Sequence, residues 1–269
     1  MQGGWRHGWT PSAYSGPPVN MYAPVRHDRL TDRPRRTRRA PWHATARIIL
    51  VHIVAGAVVS GCAPSTPRPD SASAITLGEV RLADSFDNPA AGRLATQSDD
   101  PAAEQGYIGG EYQVRLSSSA KPFRAVAANS VFANLQVAVD ARLADSPEAR
   151  WVGVACRLQP KDGTAQFYAL LTVPATGQFA LSNFDGRQWV HLVPFKYSEA
   201  VRRGNASNHL ELTCVGSTII ARINGTEVAS VLDRTYDSGY VAVLLGRDES
   251  IPVEARFDNL IVREARRSP

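Results

Sequence analysis

From residue 75 to about residue 265 the chain alternates apolar and polar side chains almost without a break, and no other feature limits its fold so strongly. In 151–158, Val152, Val154, Cys156 and Leu158 fall on one face, with Trp151, Gly153, Ala155 and Arg157 on the other. In 209–215, Leu210, Leu212 and Cys214 alternate with His209, Glu211 and Thr213. Further strand-like runs occupy 79–86, 111–116, 131–143, 166–173, 178–183, 188–193, 218–223, 227–231, 240–245 and 253–262. Asp162-Gly163, Asp185-Gly186 and Asn224-Gly225 fall between runs, and Asn-Gly suits a type I′ hairpin because both residues tolerate positive φ. No helical stripe is longer than about two turns, and 199–203 could make one. Many short strands without crossover helices predict an all-β fold, an antiparallel two-sheet sandwich. About 190 residues suffice for one sizeable core, and no repeat of propeller length is present.

The 269 residues carry 30 Lys+Arg and 25 Asp+Glu, a net +5 that invites a nucleic-acid partner. The excess is confined to one end. Residues 1–47 hold nine Arg against Asp28 and Asp32, residues 48–61 hold no charge, and everything from Cys62 onward is net −2. A basic globular domain is therefore excluded, and with it a nucleic-acid surface on the folded part.

Residues 1–47 are rich in Gly, Pro, Arg and His, a composition that cannot bury enough apolar surface to offset ordering entropy. The apolar run that follows has only 14 residues between Arg47 and Cys62, short of the roughly 20 a spanning helix needs. A short apolar stretch behind a basic one has the layout of a signal peptide. It ends in Val59-Ser60-Gly61-Cys62, which resembles the lipobox of bacterial lipoproteins: aliphatic, small, small, Cys. The resemblance implies that the Cys62 thiol receives a diacylglyceryl group and that the chain is cut just before it. The protein would then be exported and lipid-anchored on the extracytoplasmic face of a membrane, because two or more acyl chains hold firmly. Residues 62–74, rich in Pro, Ser and Ala, read as a solvated tether to a domain over 75–265, with a short tail at 266–269.

A second resemblance covers about 84–262. Gly153-Val154-Ala155-Cys156-Arg157, Gln166-Phe167-Tyr168, Asn208-His209-Leu210-Glu211-Leu212, Ile223-Asn224-Gly225, Asp233 with Ser238-Gly239, and Phe257-Asp258-Asn259 occur in that order. Together they resemble the concanavalin A-like, laminin G-type jelly-roll domains of bacterial exported proteins, near the family called 3-keto-disaccharide hydrolase. The resemblance implies a jelly roll. It leaves function open, because such sandwiches host lectins, hydrolases and adhesion modules alike.

Cys156 and Cys214 occupy inferred core-facing positions on two strands. With Cys62 lipidated they are the remaining thiols, and export places them where disulfides form. They read as a bridge or as two buried free cysteines. No E-x-D-x-E pair of glutamates, G-x-S-x-G elbow or Cys/His metal cluster is present. Aromatic residues gather at Phe167, Tyr168, Phe184, Trp189, Phe195 and Tyr197, and such rings on a concave sheet can stack on sugars. The candidate ligand residues are Trp151, Arg157, Tyr168, Trp189 and His191, with Gln166 and Asn183 as further polar groups. Phe86-Asp87-Asn88 and Phe257-Asp258-Asn259 repeat a tripeptide near the first and last strands. Asp84, Asp87 and Asp258 are therefore candidate ligands for a structural calcium.

The leading expectation is a membrane-anchored, non-catalytic recognition module for carbohydrate or another envelope component. The rivals are a glycan-active hydrolase of the 3-keto-disaccharide type and a structural or protein-interaction module. Replacing Cys62 by Ser is expected to move the exported protein from the detergent phase to the aqueous phase of a Triton X-114 partition. A Cys62→Ser protein that stays in the detergent phase would count against the lipid anchor.

Overall fold

Each alternating run forms strand in the computed structural model, which describes residues 74–144, 150–161, 164–248 and 250–268. The basic leader, the apolar run, Cys62 and its tether up to residue 73 lie outside the described residues, as does the Asp162-Gly163 turn. In chain order the strands are β1 (Ile75–Asp84), β2 (Ala103–Ile108), β3 (Glu111–Leu116), β4 (Phe123–Phe132) and β5 (Leu135–Leu143). There follow β6 (Arg150–Lys161), β7 (Thr164–Val173), β8 (Gln178–Phe184), β9 (Trp189–Tyr197) and β10 (Asn208–Val215). The last four are β11 (Thr218–Ile223), β12 (Thr226–Leu232), β13 (Gly239–Arg247) and β14 (Val253–Arg267).

They form two antiparallel sheets. The eight-stranded sheet runs β12-β11-β10-β5-β14-β3-β2, with β1 also paired to β14, and the six-stranded sheet runs β4-β13-β6-β7-β8-β9. The protein is a two-sheet jelly-roll sandwich. The first strand pairs with the last, with Asp84 opposite Leu260, an arrangement common in jelly rolls. The Asn224-Gly225 hairpin joins β11 to β12 with φ values of 51° and 81°, the left-handed pair a type I′ turn requires.

Three expectations are corrected. The run 131–143 divides between β4 and β5, which lie in different sheets, and β2 and most of β4 carried no clear alternation. The stretch 199–203 is a turn rather than helix. The buried Asn208 side chain accepts from the Arg202 amide at 2.8 Å and donates to its carbonyl at 2.9 Å, meeting the backbone needs a helix would otherwise satisfy. Among the described residues the one helical element is a 3-10 turn at Pro89–Ala91, capped by Asn88. Finally, Leu158 does not share a face with Val152, Val154 and Cys156. A bulge at Arg157, with φ of 54° and a register break between Cys156 and Gln159, turns Leu158 to the opposite side of the sheet.

The main core lies between the sheets, where Val137, Val139, Val152, Val154, Leu170, Leu210, Leu212 and Val243 are fully buried. Each such side chain contributes on the order of 1.5–3 kcal/mol relative to its exposed state. A disulfide joins Cys156 of β6 to Cys214 of β10, with Cα atoms 6.9 Å apart, so it crosses the sandwich from one sheet to the other. It spans 58 positions of sequence, a loop whose closure stabilises the fold by roughly 4 kcal/mol on the chain-entropy account. Cys156→Ala should therefore lower Tm by about 8–16 °C in calorimetry without reductant. A shift below about 2 °C would show that the bridge constrains little.

Candidate functional site

The second apolar cluster does not face the other sheet. It lies on the outward side of the six-stranded sheet, where β4, β13, β6, β7, β8 and β9 alternate away from the main core. Its floor is a cross-strand row of small residues. Register places Ala127 beside Ala242, Ala242 beside Ala155, Ala155 beside Ala169, Ala169 beside Ser182, and Ser182 beside His191. The row is apolar at the β4 end and polar at the β9 end.

Over this floor stands a group of rings from opposite corners of the sheet. Phe123 and Trp151 sit together at one end, both opposite Gly246. Phe167, Phe184 and Trp189 lie towards the other end of the strands, Phe167 being five residues, or about 17 Å, along β7 from the partner of Val152. Yet the Phe123 and Phe184 ring centroids are 5.1 Å apart, and those of Trp151 and Trp189 are 5.5 Å apart in an edge-to-face pair. Rings at diagonal corners can meet only if the sheet coils, so this face is concave. Gly246 allows the approach, because a Cβ there would collide with the Trp151 indole. Trp151 is 2 % exposed and its Nε1–H is buried without a hydrogen-bond partner. The two tryptophans expected to stack on a ligand are thus part of a largely closed aromatic cluster.

The concave face opens at its β9 rim. There Trp189, His191, Phe195 and Tyr197 project along one edge strand. His191 Nδ1 and Ser182 Oγ share a hydrogen bond of 2.8 Å, and the His191 ring meets Phe195 edge-on at 5.4 Å. Tyr197 is 56 % exposed and carries the Arg203 guanidinium over its ring at 5.2 Å. The sequence placed Phe195 and Tyr197 in the aromatic group without naming them as ligand residues, and Arg203 gave no signal beyond its place in 199–203.

Arg157 and Tyr168 lie elsewhere. Arg157 is buried at the bulge, where it donates to the carbonyls of Ala133, Gly216 and Tyr236 at 3.1, 2.8 and 2.7 Å. Tyr168 belongs to the inter-sheet core. Its hydroxyl donates to Asp233 and accepts from the Tyr236 amide, while burial, then the Asp233 bond, pushes its pKa up to about 12. Both side chains are spent on structure. Gln166 likewise donates to the Asp185 carbonyl, and Asn183 is buried.

The calcium candidates divide. Asp84 accepts from the Phe86 amide at 2.9 Å and from the Tyr107 hydroxyl at 2.6 Å. Asp258 lies on β14 of the same sheet, opposite Asp140 of β5. Burial, together with the charges of Asp140, Glu111 and Asp87, raises its pKa. Among the described residues no group of three or more His, Cys, Asp or Glu is placed to hold a metal ion.

No family model matches the chain, and no curated protein matches it in sequence. Solved structures match its fold. A protein of unknown function with a galectin-like fold from Bacillus subtilis is 12% identical, with TM-score 0.53, covering 72% of this chain and all of its own. A GlcNAcα1-4Gal-releasing endo-β-galactosidase from Clostridium perfringens is 9% identical with TM-score 0.53, covering 69% of this chain and 61% of its own. The catalytic domain of an endo-1,3-β-glucanase from Thermotoga petrophila is 9% identical with TM-score 0.51, covering 71% and 99%. At these identities the similarity is one of fold.

His191 offers a test of the rim. Burial pushes its imidazolium below the ordinary value of about 6.5, so folding favours the neutral ring. As pH falls below about 6.5 the unfolded chain takes up the proton first. This contribution to stability is whole above that pH and declines as pH drops towards the folded value. The Tm gap between wild type and His191→Gln should narrow between pH 8 and pH 5, and a constant gap would refute the burial.

Proposed function

We propose that the chain is an exported lipoprotein, held through acyl groups on Cys62, whose sandwich domain is a non-catalytic carbohydrate-binding module. The observation that carries this reading is the row of Trp189, His191, Phe195 and Tyr197 on the open rim of a concave, ring-lined sheet. Sugar rings present C–H faces that stack on such side chains, while hydroxyls need donors and acceptors beside them. His191, steadied from beneath by the buried Ser182 hydroxyl, and Arg203 supply those groups at the rim.

Two further observations support the reading. Two of the similar folds belong to carbohydrate-active proteins: the endo-β-galactosidase and the endo-1,3-β-glucanase. And no strand residue on the concave face of this chain is Asp or Glu, among the described residues. Glycoside hydrolysis ordinarily uses two carboxylates roughly 5–10 Å apart across the scissile bond. A face without either favours binding over the hydrolase reading.

A glycan array probed with the purified full chain tests this. Wild type should be retained on at least one polysaccharide, and Phe195→Ala or Tyr197→Ala should weaken retention roughly tenfold, the scale of one lost stacking contact. Retention on no glycan, or unchanged retention in both variants, would sink the proposal.

A further inference from the structure

Arg203 is an exposed cation that is nonetheless held in place. Its guanidinium lies 5.2 Å over Tyr197, and its flanking backbone is pinned from several directions. Asn208 clamps both backbone groups of Arg202, the Gly204 amide donates to the Pro174 carbonyl at 3.3 Å, and the Ser198 amide donates to the Gly177 carbonyl at 2.9 Å. Gly177 completes the seat. It has φ of +70°, and a Cβ on it would stand 3.0 Å from both Arg203 Nε and Tyr197 Cε2. A bare backbone is what lets ring and guanidinium settle over the turn.

The same guanidinium makes no ion pair and no side-chain hydrogen bond among the described residues. Glu199, the carboxylate closest to it in sequence, is not paired with it. The neighbouring Lys196 is equally unpaired and lies over the Phe179 ring at 5.3 Å. Elsewhere on the molecule the pattern is mixed: among the described residues Arg93, Arg187 and Arg263 also make no ion pair, but none of them is held over a ring as Arg203 is. Arg115, Arg142, Arg222 and Arg256 of the eight-stranded sheet each contact a glutamate, at 3.7, 2.7, 3.2 and 2.7 Å. A positioned fork left with its donors free, beside the exposed Tyr197 and the half-buried Phe195, is arranged to receive an anion. Arginine matches carboxylate and sulfate oxygens with two parallel N–H bonds, and pre-positioning reduces the entropy lost on binding.

We infer that the glycan bound at the β9 rim is acidic. Its carboxylate or sulfate ester is received by Arg203 while a sugar ring stacks on Phe195 or the exposed part of Tyr197. The inference rests on the carbohydrate-binding reading and adds to it the class of ligand.

The purified full chain is titrated by calorimetry with three probes: polygalacturonate for the carboxylate, a sulfated galactan for the sulfate ester, and neutral galactan as control. At 50 mM salt one of the acidic polymers should bind at least tenfold more tightly than the neutral one, and the preference should shrink at 500 mM salt as the charge is screened. Arg203→Gln should abolish the preference with an unchanged Tm. Arg203→Lys should retain part of it, having the charge without the fork. Equal affinity for neutral and acidic polymers, or an acidic preference that survives Arg203→Gln, overturns the inference and leaves carbohydrate binding intact. Binding to none of the three, combined with no retention on a wider glycan array, removes the carbohydrate reading and this inference with it.

Discussion

The buried guanidinium of Arg157 ties together the end of the sandwich on which the rest of the geometry depends. It binds one carbonyl from the β4–β5 connection, one from the β10–β11 turn and one from the segment entering β13. Those connections carry the chain between the two sheets or around their edges. A charge out of water is costly unless its donors are satisfied, and burial pushes the Arg157 pKa down. Three carbonyls fix the cost at a level the fold tolerates, and they fix the loops with it. The bulge that admits Arg157 is also why β6 presents Leu158 outward, and Gly239 lies so close across the ladder that any Cβ would strike the backbone of Arg157 and Leu158. Bulge, buried cation and glycine form one unit.

That unit has a bearing on the concave face. A bulge increases local twist, and the six-stranded sheet carries irregularities in three of its five pairings besides that of β6 with β7. Accumulated twist brings the diagonal corners together, and the ring cluster of Phe123, Trp151, Phe167, Phe184 and Trp189 fills the space so enclosed. Alanine and glycine in the rows beneath leave room for the rings. The outward face is thereby a second small core with one open margin, at β9.

This explains what was legible in the sequence. Alternation along β3, β7, β10 and β11 was regular enough to locate those strands almost to the residue, and the core-facing positions of Cys156 and Cys214 pointed correctly to a bridge. Alternation also placed Trp151 on the face away from the main core. It could not reveal a bulge, since one residue in left-handed conformation reverses every later assignment, and Leu158 went to the wrong side for that reason. Arg157 and Tyr168 looked like ligand groups because a polar side chain in a strand reads the same whether it meets solvent or a set of carbonyls. Arg203 was missed because it lies in a turn, and its proximity to Tyr197 depends on Gly177, some 26 positions earlier in the chain. Distances across a fold of this kind have no counterpart in local pattern.

Pro194 sits near the middle of the outermost strand of the six-stranded sheet. It has no N–H to offer a neighbour, and the register of β9 against β8 is broken twice nearby. An extended polypeptide adding itself along this margin as a seventh strand would meet an interrupted main-chain ladder, which weakens such pairing. The same interruption disfavours two copies of the domain zipping together edge to edge along β9, and the margin is thereby left to solvent.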